Sequence, residues 1–246
     1  MNWLPDPFAW CDIPTGDVRN ISDDGQSTYK EIPAFRIAKY PITNHQYQQF
    51  KDDDGYNKRR FWTFNGWADI KEDGYEHGYF WRHYGEANKP VVSVSWYEAN
   101  AYTRWLSEKL GFEVFLPSDE QWRRAASGDD HWVFPFGNDW DASKCNNNFM
   151  GPYEGYTTTD VTTFEGIADS PFGVVDMAGN VNEWTSTKVT KRWGYTEPPH
   201  EYDIRCLGGS WRDRDPLRYC VPYSGGLFET YGSGDNDIGF RIATSA

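Results

Sequence analysis

The clearest helix in this sequence begins after Val91-Val-Ser-Val-Ser95, and both of its ends are written into the chain. Ser95 can cap the first turn, and Glu98 three positions later completes a capping box. Trp96, Ala99, Tyr102, Trp105, Leu106 and Leu110 recur at helical spacing, and Gly111 ends the run because glycine tolerates the left-handed conformation of a C-terminal cap. A second box, Ser118-Asp-Glu-Gln121, opens a shorter helix over Glu120–Ala126, and Thr43 can cap a third over Asn44–Lys51. Elsewhere no such period holds. Residues 1–40 read as strand-rich, with Tyr29–Ala38 loosely alternating. Residues 52–88 are rich in Gly, Asp and aromatics and read as a long ordered loop. Beyond residue 127, short strand-like pieces separate long connections rich in Gly, Asn and Thr. Two main helices followed by short strands define an α+β chain with segregated elements, and so many long loops usually carry function.

With hydrophobic residues at only 38%, the core must draw on aromatics, which reach 18% and include 13 Trp. The net charge of −13 argues against affinity for a nucleic-acid backbone. The chain lacks an 18-residue apolar run, so it contains no membrane span. The first residues, MNWLPDPFAWCDIP, lack the basic-then-apolar pattern of a signal peptide, which places the chain in the cytoplasm or on a surface or virion through a partner. Cysteines at 11, 145, 206 and 220 have neither C-x-x-C nor zinc spacing. Up to two disulfides are possible, but reduced core thiols are the expectation.

Seven segments then line up in order: KYPITNHQYQQF, PVVSVSWYEANAYTRWLSEKLG, FLPSDEQWRRAA, FPFGNDWDASKCNN, SPFGVVDMAGNVNEW, LGGSW and GFRIA. Together they resemble the formylglycine-generating-enzyme (sulfatase-modifying factor) domain family over roughly residues 30–243, nearly the whole chain. The resemblance implies a variant C-type lectin-like fold, with two main helices, small antiparallel sheets and much irregular loop, formed by residues 1–246 as a single domain. It leaves function open, because relatives include oxidases, sulfoxide synthases and the noncatalytic variable proteins of diversity-generating retroelements.

In the oxidases, two cysteines five positions apart after Gly-Gly-Ser bind copper. Here those positions carry Asp213 and Arg218, and neither is a thiolate ligand. The sulfoxide synthases take their iron site largely from histidines of an extra helical domain, which these 246 residues do not include. The five histidines, at 45, 77, 83, 131 and 200, form no close metal-binding motif, so neither copper nor iron is expected.

In the variable proteins, adenine randomisation of Asn codons excludes Glu, Lys, Gln, Met and Trp. Those five types occur 44 times in residues 1–211 but once, at Glu229, in residues 212–240, where the same frequency would give about six. Arg212, Asp213, Arg214 and Asp215 supply donors and acceptors of both signs, and Tyr219, Tyr223, Phe228 and Tyr231 supply rings of modest ordering cost. These eight residues are the expected contacts for a protein or glycan target, with residues 212–240 as the variable region. Gly208–Trp211 and Gly239–Arg241 belong to the fixed frame, with Trp211 buried. A metal-dependent oxidase is the alternative reading.

The run GNVNEW resembles the family's calcium-binding GNxWEW, with Asn182 where the family usually has Trp. The resemblance implies a structural calcium held by Asn180, the Val181 carbonyl and Glu183. The residues alone are equally consistent with a structural turn.

Overall fold

All three predicted caps form. Thr43 opens α1 (Asn44–Asp52), Ser95 opens α3 (Trp96–Leu110) and Ser118 opens α4 (Asp119–Ser127), each with reciprocal capping-box bonds. This computed structural model describes residues 2–21, 26–72, 86–148, 157–188, 203–214, 227–230 and 234–246. Helix α3 ends at Gly111 in the left-handed region, with φ 77°. Of the predicted stripe it buries Ala99, Tyr102, Trp105 and Leu106 fully and Trp96 and Leu110 in part, and Ala101 is buried beside them.

A fourth helix, α2 (Phe64–Glu72), lies inside the segment expected to be loop. The Thr63 hydroxyl accepts from the Gly66 amide at 2.9 Å and starts it. Phe64 is 81% exposed and Ile70 is buried, so the helix offers one turn of apolar face rather than a readable stripe. Gly66 in its first turn fits because a Cβ there would come within 2.9 Å of Tyr97.

The strands are β1 (Trp10–Ile13), β2 (Gly16–Ile21), β3 (Ser27–Ile32), β4 (Phe35–Ala38), β5 (Asn182–Lys188), β6 (Asp203–Leu207), β7 (Leu227–Thr230), β8 (Ile238–Phe240) and β9 (Ala243–Ser245). The alternation over residues 29–38 is divided between β3 and β4, which Pro33 and Ala34 separate. Antiparallel β1, β4 and β9 form one sheet in the order β1-β4-β9, which joins the two ends of the described chain. Antiparallel β2 and β3 form a hairpin packed against α4. The third sheet runs β7-β6-β5-β8 and departs from the all-antiparallel expectation, because β5 and β8 pair in parallel.

Aromatic packing replaces missing aliphatic volume, as the composition implied. Tyr47, Phe50, Tyr102, Trp105 and Phe240 are all buried, with neighbouring ring centroids 5.3–6.2 Å apart. Each ring removes on the order of 150–250 Å² from water. Glu98 is buried in this core, where it accepts from the Ser95 amide at 2.7 Å and the Tyr56 hydroxyl at 2.5 Å. The core therefore fixes the root of α3, and the third sheet builds outward from it.

Candidate ligand-binding surface

The C-terminal surface is built where β6 stops. Gly208 and Gly209 follow with φ of 103° and 71°, a left-handed pair that reverses the chain without a Cβ penalty. Ser210 and Trp211 are buried at 0% and 8% exposure. The Gly208 carbonyl accepts from the Gly179 amide at 2.8 Å, and the Trp211 amide donates to Asn180 at 3.1 Å. The frame expected at Gly208–Trp211 is thus locked to the Gly179–Asn182 turn. Trp211 is buried as expected, and its Nε1 has no acceptor.

At Arg212 the chain turns outward, with 47% of the side chain exposed. Its Nη1 donates to Asp235 and Asn236 at 3.1 Å and reaches Asp237 at 3.4 Å. Burial pulls the guanidinium pKa down, but the charges of Asp237 and Asp235 outweigh it and leave the group above its ordinary value. Arg214 is exposed. Asp213 folds back instead: its Oδ2 accepts from the Ser210 amide at 2.7 Å and lies 3.1 Å from the Ser210 hydroxyl. That hydroxyl also donates to Asp237 Oδ2 at 2.7 Å. Burial raises the carboxyl pKa of both Asp213 and Asp237.

Of the eight expected contacts, Arg212, Asp213 and Arg214 therefore share one surface. Phe228 lies on β7, its backbone opposite Arg205. Asp215, Tyr219, Tyr223 and Tyr231 lie outside the described residues. Sequence reasoning missed Asp235, Asn236 and Asp237 as partners of Arg212. Their run, Asp-Asn-Asp immediately before the fixed Gly239-Phe-Arg241, was the available signal.

The expected calcium ligands do not converge as a free set. Glu183 is fully buried, and its carboxylate accepts Arg241 Nε and Nη2 at 2.6 Å and Trp122 Nε1 at 2.7 Å. A divalent cation on those oxygens would stand against the guanidinium that already neutralises them. The Asn180 carbonyl oxygen accepts from the Thr159 amide at 2.9 Å and the Asn146 amide at 3.3 Å. Asn180, Val181 and Glu183 thus do not fit calcium as drawn, and the turn serves as a structural junction instead. The residue overlooked is Asp176: its Oδ2 accepts from Asn180 at 2.8 Å, Oδ1 is buried without a partner, and burial pushes its pKa up to about 7.

Burial raises the Cys11 thiol pKa above its ordinary value. Cys11, Cys145 and Cys206 are unbridged, and burial pushes Cys145 up to about 12. Cys220 lies outside the described residues, as do His77, His83 and His200. Among the described residues, no three His, Cys, Asp or Glu side chains form a group able to hold a metal. Nor is any described helix long and apolar enough to cross a membrane.

The three capped helices, the small sheets and the Gly-Gly-Ser-Trp turn define a C-type lectin-like fold of the formylglycine-generating type. The sequence profile of the sulfatase-modifying factor enzyme 1-like domain matches residues 10–246, and the chain belongs to that family. It is 30% identical over 206 residues to hercynine oxygenase from Mycobacterium tuberculosis, covering 74% of this chain and 46% of that protein. The inactive C-alpha-formylglycine-generating enzyme 2 of Mus musculus is 26% identical over 264 residues, covering 91% of this chain and 80% of that protein. The chain spans about half the length of the hercynine oxygenases it matches. Among solved structures, Treponema denticola variable protein 1 superposes with a TM-score of 0.72 at 19% identity, covering 97% and 95% of the two chains. PvdO from Pseudomonas aeruginosa superposes with a TM-score of 0.67 at 20% identity, covering 96% and 94%.

Proposed function

We propose that this chain is a noncatalytic ligand-binding member of the family, with a diversified C-terminal surface of the retroelement variable-protein type. The observation that carries the reading is the sharp division at residue 211. Gly208–Trp211 are buried and tied into the frame, whereas Arg212 and Arg214 project from it at the start of the segment depleted in five residue types. The likeness in fold to a variable protein supports the reading, as does a relative named as inactive. Its partner is a protein or glycan that meets the exposed arginines and neighbouring carboxylates. The net charge of −13 disfavours a nucleic-acid partner.

The test pairs affinity with stability. Arg212→Ala combined with Arg214→Ala removes contacts to the target; within the protein it breaks the exposed Arg212–Asp235 pair, worth about 0–1 kcal/mol, and a longer 3.4 Å contact to Asp237. Binding to hits from an arrayed protein and glycan panel should fall at least about tenfold, or 1.4 kcal/mol, while Tm moves by no more than a few degrees. Unchanged affinity would sink the proposal. A reverse transcriptase gene beside a near-copy of the segment encoding residues 212–240 would support the retroelement origin.

The second reading is an oxygenase, and the 30% identity to hercynine oxygenases favours it. It requires stoichiometric iron or copper in the purified protein and oxygen consumption with a thiol substrate. Elemental analysis free of both metals would remove it.

A further inference from the structure

Among the described residues, Asp213 is a carboxylate without a cation. Its hydrogen-bond partners are the Ser210 amide, the Ser210 hydroxyl and the side-chain amide of Asn182, all dipoles. The neighbouring guanidinium of Arg212 is directed to Asp235, Asn236 and Asp237 instead. The hydroxyl has one proton and two carboxylates beside it, and it lies closer to Asp237, at 2.7 Å against 3.1 Å.

A second deficit stands next to the first. Asn182 is 2% exposed, and its amide nitrogen serves Asp213, yet its Oδ1 is buried without a donor among the described residues. Asn182 starts β5, Ser210 and Asp213 follow β6, and Asp237 precedes β8, so three separate segments converge here; Asp237 already accepts from Ser210 and, at 3.4 Å, from Arg212, whereas Asp213 has only dipoles beside it. Asp213 remains partly exposed, which leaves the cluster open to solvent on one side.

We infer that Asp213, Asp237 and the Asn182 carbonyl oxygen receive a cationic, N–H-rich group of the bound partner, an ammonium or a guanidinium. Such a group supplies the missing charge and the missing donors together, which a neutral hydroxyl cannot do. Burial raises the Asp213 carboxyl pKa with no described cation to offset it, and raises that of Asp237 despite the charge of Arg212. The assignment rests on the C-terminal loops being the ligand-binding surface, and it names what that surface selects.

Calorimetric titration of the 246-residue chain with Nα-acetyl-lysine methylamide, Nα-acetyl-arginine methylamide and neutral Nα-acetyl-norleucine methylamide tests the inference directly. At least one cationic probe should bind about tenfold or more tighter than norleucine, and the preferred probe separates ammonium from guanidinium. Asp213→Asn, which keeps an acceptor for Ser210, should abolish that preference. Equal binding of all three probes, or a preference that survives Asp213→Asn, overturns the inference. If the variant does not fold, amide NMR shifts of the unaltered protein replace it: cation-specific changes centred on Asn182, Ser210 and Asp213 support the site, and changes elsewhere overturn it. A target that depends on Arg212 and Arg214 but ignores both lysine and arginine modification and Asp213→Asn overturns this inference alone. Loss of the Arg212 and Arg214 dependence overturns the wider binding reading.

Discussion

Arg241 does more for this molecule than any other single charged side chain described. Fully buried, it donates to Glu183 and to the carbonyls of Ala38, Lys39, Val175 and Asp176, and so ties three distant segments together. Arg241→Met leaves Glu183 charged and buried without its counter-ion and should cost about 3–5 kcal/mol, measurable by urea unfolding. Asp176 beside it gives a pH signature. Burial disfavours the anion and pushes its carboxyl up to about 7, above the ordinary 3.8 of an aspartate. A raised acid contributes stability below its unfolded pKa and loses it as pH rises through the folded value. Asp176→Asn should therefore flatten the decline in stability between about pH 4 and 7 relative to the unaltered protein, and denaturation midpoints across that range check it. An unchanged profile would contradict the assignment. Glu183 was visible in GNVNEW, but its partner was not. A salt bridge across 58 positions leaves no local pattern, so the carboxylate read as a metal ligand.

At the level of elements, what was legible was local. The caps at Thr43, Ser95 and Ser118 depend on residues three positions apart, and each forms as read. Ser118→Ala should cost about 0.5–2 kcal/mol by thermal or urea unfolding, because α4 loses its cap while the Trp122 contact to Glu183 remains. Helix α2 was illegible for a physical reason: its first-turn glycine and exposed first aromatic hide a period that packing, not propensity, completes. Ile70→Ala tests that account. It should destabilise the protein by about 2–5 kcal/mol if α2 is held by its buried side chain. The parallel pairing of β5 with β8 was equally hidden, since strand partners 56 residues apart share no turn.

For the molecule as a whole, the fold could be recognised because seven short motifs occur in order along the chain. The surface could be only half read. Arg212 and Asp213 announce themselves after Gly-Gly-Ser-Trp, whereas Asn182 and Asp237 join them only through the third sheet. The same sheet has a consequence for change. Ser210 and Asp237 are 27 positions apart in sequence, yet a 2.7 Å hydrogen bond holds them together. What lies between includes β7, itself paired with β6, so length added between these fastened points is nearly decoupled from the strength of the frame. Closing a longer flexible loop between fixed ends costs only about 0.6 kcal/mol for each doubling of length. A protein arranged this way can vary its recognition segment in size as well as in sequence, much as a bracelet accepts new links behind the same clasp.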